Sequence, residues 1–263
     1  ESLRAARTLD VPKSEEVTTL ILQERFAEFE RRSKIYEARF AQDPVYESPL
    51  IKLYDALERG NNKVLEKLDK WVASRPSYIA YGARGVWKER RGYWLRGGEF
   101  VERTPPESFA SMRRLHEQAR RDLSIALEMN AKFAPAYNSL IRIERASGSR
   151  KSAKMILATA VREIPQTYYV RFEYLQALTP RWGGSYKRMQ IYTDDLDKKA
   201  AANPRIWSLK GEAFADRGVN AWNGSDYEAA VRHYTTALSY GDRMEFLKDR
   251  GYVYMGLGQH DLA

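Results

Sequence analysis

The chain has 263 residues, 43% hydrophobic and 30% charged, with no cysteine and a formal net charge of +9. Such a balance predicts a folded protein with a sizeable core, and it excludes disulfides, thiolate metal sites and cysteine nucleophiles. It leaves a bacterial cytoplasm and a periplasm both open, favours anionic partners over cationic ones, and offers no run near the roughly 18 apolar residues of a membrane span.

Residues 1–12 have no periodicity, no initiator Met and no signal pattern, so Glu1 reads as an artificial or processing boundary. Ser14, Glu15 and Glu16 supply a capping hydroxyl and first-turn acids for a helix. Its apolar face runs through Val17, Leu20, Ile21 and Phe26 to Phe29, Ile35, Tyr36 and Phe40, and Gln42-Asp43-Pro44 ends it. Leu50, Leu53, Tyr54 and Leu57 predict a short helix stopped at Arg59-Gly60-Asn61-Asn62. Val64, Leu68, Trp71 and Pro76 predict another. A helix over 77–92 carries Tyr78, Tyr81, Val86 and Trp87, and it leads into a glycine-punctuated loop, Tyr93 to Gly98.

Helices are then expected over 108–129, 133–146, 149–163 and 168–178, the last ended by Thr179-Pro180. A helix through Met189, Ile191, Tyr192 and Leu196 reaches Asn203-Pro204. Trp207, Gly211 and Phe214 mark a further one, a loop is expected over 217–225, and Ala230, Tyr234 and Ala237 mark the next. Leu247, Gly251, Tyr254, Gly258 and Ala263 repeat that grammar, and Ala263 reads as the start of a cut helix. No stretch alternates with period two for long, so the chain is predicted to be all-α.

Ala119 and Ala153 are 34 residues apart, as are Leu123 and Leu157, and Ala126 and Ala160. Tyr137, Leu140 and Gly148 fall between the alanine sets, and Pro165 closes the second. Small, aromatic and proline positions at this period resemble the tetratricopeptide (TPR) repeat. The resemblance implies a right-handed TPR-like α-solenoid of antiparallel helix pairs, with degenerate repeats over 1–130 and better-formed ones over 131–263. A second resemblance rests on Trp94-Leu95-Arg96-Gly97-Gly98 and Pro180-Arg181-Trp182-Gly183-Gly184-Ser185. From Glu16 to Asn203 the chain is similar to an uncharacterised bacterial helical-repeat domain, which implies a fold and no activity.

Little in the chain reads as chemistry. His116, His233 and His260 are far apart and lack metal-ligand spacing, and Asp194, Asp195 and Asp197 point apart on a helix. Gly256-Leu257-Gly258 follows a helix rather than a strand, which rules against a nucleotide loop. Trp182 reads either as a plug between repeats, with Gly183 and Gly184 supplying positive φ, or as a ligand-facing residue. Arg113, Arg114, Arg120 and Arg121 recur at seven and form a stripe on the outward face of a helix.

By the TPR resemblance, the inward positions of first helices select Trp87, Arg90 and Arg91, then Asn138, Arg142 and Arg145, then Tyr169, Phe172 and Gln176. Later units contribute Ser208, Glu212, Asp216, Lys248 and Tyr252. The resemblance thus implies a non-enzymatic scaffold with no cofactor or metal. Its concave face would bind an acidic or aromatic peptide of a protein partner through Trp87, Arg91, Asn138, Arg142, Arg145, Tyr169 and Phe172. The alternative is an anionic polymer, RNA, single-stranded DNA or acidic polysaccharide, on the basic surface. An enzyme built on the Trp94 to Gly98 and Arg181 to Ser185 loops is the third reading.

Overall fold

Apolar side chains at three- and four-residue spacing fold the described residues into thirteen α-helices and no strand in the computed structural model. The structure describes residues 11–59, 61–99, 101–196, 200–259 and 261. Expectations resting on residues 1–10, Gly60, Asp197, His260 and Ala263 lie outside the described residues. Two compact units form, Glu1–Val170 and Arg171–Ala263.

In the first unit α1 (Ser14–Leu22) and α2 (Phe26–Gln42) divide what reads in sequence as one apolar run. The division lies at Glu24, whose φ of 57° is left-handed. That conformation costs a side-chain-bearing residue about 1–2 kcal/mol. The Glu24 carboxylate is held by Lys67 at 2.7 Å and also by Lys70, both on α4 (Asn62–Ser74). The turn itself closes locally, Arg25 N–H donating to the Leu20 carbonyl at 2.9 Å, and the two lysines add a tertiary contact where the sequence carries no glycine.

Val64, Leu68 and Trp71 of α4 are fully buried. Phe26 stacks on Trp71 with centroids 4.9 Å apart, and Phe29 meets both Trp71 and Tyr54 edge-on. Tyr54, near the end of α3 (Glu47–Asp55), meets Phe133 edge-on at 5.1 Å. These rings, each contributing large apolar area, form one continuous aromatic seam from Phe26 to Phe133.

The two longest helices, α5 (Tyr78–Arg96) and α6 (Pro106–Met129), pack side by side. Glycines on α5 set their separation. A Cβ on Gly85 would lie 2.7 Å from Leu123, and one on Gly92 would lie 2.7 Å from His116. Gly92 therefore does not end the helix as expected; it is an interior gap that accommodates His116. The helix runs on through Tyr93 to Arg96 and stops at Gly97, whose φ is 80°.

After α6 come α7 (Ala134–Ser147) and α8 (Arg150–Glu163), each within one residue of the expected start and end. Ala119, Ala126, Ala153 and Ala160 are all fully buried. We expect Ala126→Leu and Ala153→Leu each to destabilise by about 1–3 kcal/mol, since added methylenes overpack a close crossing. Arg150→Leu, at an exposed position, should cost far less; equal tolerance at all three in urea unfolding would make the 34-residue spacing incidental.

Residue 130, where the expected repeats change from degenerate to better-formed, lies inside the first unit. Arg120 of α6 pairs with Glu144 of α7 at 2.7 Å, and Gly82 of α5 abuts Phe133, so contacts cross residue 130 freely. A further tie starts α9 (Tyr169–Ala177). The buried Glu47 carboxylate accepts from Thr167 Oγ1 and from the backbone N–H groups of Tyr168 and Tyr169. A residue distant in sequence thus performs a capping role.

In the second unit a 3-10 turn, Pro180–Trp182, precedes α10 (Tyr186–Asp194). Gly183 has a φ of 73°, and a Cβ on Gly184 would stand 1.9 Å from the Leu178 carbonyl oxygen, so backbone packing shapes this bend. Trp182 is half-buried there. The helix expected around Trp207 begins instead as a 3-10 segment, Pro204–Gly211, and becomes α11 (Glu212–Asn223). The loop expected over 217–225 is mostly the last turns of α11. There Gly218 lets the helix lie against the Tyr234 ring of α12 (Tyr227–Leu238), 2.9 Å from where a Cβ would stand. Ala230, Tyr234 and Ala237 of α12 and Val253 of α13 (Met244–Gly256) form this unit's core with Phe246.

Candidate functional site

Arginines expected to grip a ligand are instead paired inside the first unit. Arg142 of α7 is only 3% exposed. Its Nη2 donates to Glu89 Oε2 at 2.9 Å, to Asp55 Oδ1 at 3.1 Å and to Ser139 Oγ at 3.0 Å. Glu89, fully buried in mid-α5, also accepts from Ser139 Oγ at 3.2 Å. The next residue, Arg90, pairs with Asp55 at 2.7 Å. Burial would raise the Asp55 carboxyl, but the Arg142 and Arg90 guanidiniums outweigh it and hold it below its ordinary value.

Charges alternate through this cluster, so α3, α5 and α7 are fastened together by charge-assisted bonds. A second cluster works alike: Asp122 of α6 takes Arg84 at 2.6 Å and Lys88 at 2.8 Å, both from α5. His116 belongs to the same interior. Its Nε2 lies 3.2 Å from the Glu89 carbonyl, and burial holds the imidazole below its ordinary pKa.

Two more expected contact residues are interior. Trp87 is 1% exposed and is among the largest fully buried side chains. Asn138 is buried too; with its amide oxygen turned to Arg142 Nη1 at 3.0 Å, its nitrogen donates to the Tyr169 carbonyl at 3.2 Å. Trp87, Asn138 and Arg142 are therefore corrected from groove-lining to structural residues. Helical offset alone placed them on a free surface, whereas all three side chains are buried, and Arg142 meets Asp55 of α3 and Glu89 of α5.

The remaining expected residues are more accessible. Arg145 is half-buried at the end of α7, and Tyr169 is half-buried with its hydroxyl 3.0 Å from Ser48 Oγ. Phe172 belongs to the second unit, where the Arg243 guanidinium lies 5.4 Å from its ring centroid. There Glu212 is buried and accepts from Gln176 at 2.9 Å. Structure thus joins Asn138, Arg142 and Tyr169 into one bonded chain, and it sets Arg91 apart.

Arg91 lies over the indole of Trp94, 4.0 Å from the ring centroid. Trp94 is nevertheless 61% exposed. Two residues on, Arg96 lies over the Phe109 ring at 5.5 Å. The end of α5 is therefore a cationic and aromatic surface that the expected loop concealed. The i, i+3 spacing of Arg91 and Trp94 was the available signal, and it requires the helix to continue past Gly92.

Among the described residues no group of His, Asp and Glu side chains converges to hold a metal ion, and no helix is long and apolar enough to cross a membrane. Against known proteins, the chain matches no family model and no curated sequence.

Proposed function

We propose that this chain is a non-enzymatic interaction scaffold, a right-handed TPR-like solenoid, that binds an acidic and aromatic peptide segment of a protein partner. The carrying observation is the exposed Trp94 indole with Arg91 against one face. An indole with one face covered is held in place, so its exposed area can receive an aromatic side chain with little loss of conformational freedom. Arg91 and Arg96 beside it favour carboxylates. Tryptophan and arginine are also the side chains that most often dominate binding energy at protein interfaces. The peptide site is thereby moved along α5 from Trp87 to Arg91 and Trp94.

A displayed library of random peptides tests the reading. Selection on the full chain should enrich sequences holding Asp or Glu next to Phe, Tyr or Trp. Trp94→Ala should weaken a selected peptide at least tenfold, about 1.4 kcal/mol, with an unchanged thermal melt. Failure to enrich acidic residues, or equal binding by Trp94→Ala, would remove this site.

A further inference from the structure

A different surface carries a denser charge. On α6, Arg113, Arg114 and Arg121 are exposed along one face, and on the first turns of α8 so are Arg150, Lys151 and Lys154. Glu144 brings the two sets together. Its carboxylate takes Arg120, the neighbour of Arg121, at 2.7 Å, and its carbonyl accepts from the backbone N–H of Ser149, the neighbour of Arg150, at 3.0 Å. Glu117 is the one exposed acid within the α6 stripe. By helix rise, Glu107 and Glu128 stand about 9–11 Å beyond its two ends. Even without Arg150, five exposed cations stand against one acid at this corner.

We propose that this corner binds the phosphate backbone of a nucleic acid duplex without sequence preference. Four of the six cations are arginines, whose planar donors suit phosphate. A duplex offers one negative charge per about 1.7 Å of axis, a density that matches a multi-cation surface better than scattered carboxylates do. The stripe carries no exposed aromatic; its exposed large apolar residue is Met155. Single strands are typically held by base stacking on aromatic rings, so the chemistry favours backbone contact with paired strands.

Fluorescence anisotropy with a labelled mixed-sequence DNA duplex tests this on the full chain. Four net neutralised phosphates should give a log–log salt slope of about −3.6. Lys151→Glu with Lys154→Glu should weaken binding at least tenfold and make the slope shallower by about 2. Both side chains are exposed, and acids near a helix start are favourable, so the fold should be kept. Arg31→Glu with Lys34→Glu, exposed on α2, makes the same change in net charge elsewhere and should have little effect. Equal weakening by both pairs, or no binding by the parent chain, would overturn the proposal. So would displacement of the duplex by a lower concentration of polyglutamate, which would assign the corner to an acidic protein.

Discussion

Arg142→Ala should lower stability by about 3–5 kcal/mol, read as a shifted midpoint in urea unfolding. Removing one partner of a buried pair leaves the other charge short of compensation, here with Arg90 3.8 Å from Glu89, and that cost exceeds what the intact pair contributes. Here the stranded group is Glu89, which is fully buried and held at 2.9 Å by Arg142. The double replacement Arg142→Met with Glu89→Gln should recover at least half of the loss, since neither buried charge then persists. An unaltered melt in Arg142→Ala would return this residue to the ligand surface. The sequence alone suggests that other outcome, because an arginine at a TPR-type inward position reads as a free cation.

Trp87→Ala should cost about 3–5 kcal/mol, the usual loss when a large aromatic leaves a cavity in a packed interior. Trp87 is 1% exposed on α5, the helix whose glycines draw it against α6. Trp87→Phe keeps most of the apolar volume and should cost much less. Full stability in Trp87→Ala with lost peptide binding would contradict the core assignment and restore the contact role. Since Trp94 lies on the same helix but is exposed, Trp94→Ala makes the comparison internal: one tryptophan should affect folding and the other recognition.

The candidate site divides along the same line. Nothing in the spacing of Arg142 reveals that Glu89 and Asp55 meet it, because those acids come from other helices than its own. Arg91 and Trp94 are neighbours on a single helix, so their contact is legible once Gly92 is read as a packing gap. Glu24 offers a similar case: no glycine announces its left-handed turn, and its carboxylate meets Lys67 and Lys70, more than forty residues away.

Local pattern determined the helices themselves. Apolar periodicity, the Ser77 and Asn61 caps, and Gly148 in the left-handed region set elements whose hydrogen bonds close within a few residues. The buried alanines at 34-residue spacing were likewise legible, since a small side chain records a close approach whichever helix makes it. Only the tertiary structure decided where the charges went. Whether an arginine is a ligand grip or an internal fastener depends on which acid another helix presents to it. That information is carried by packing between distant segments and not by the residue's own periodicity.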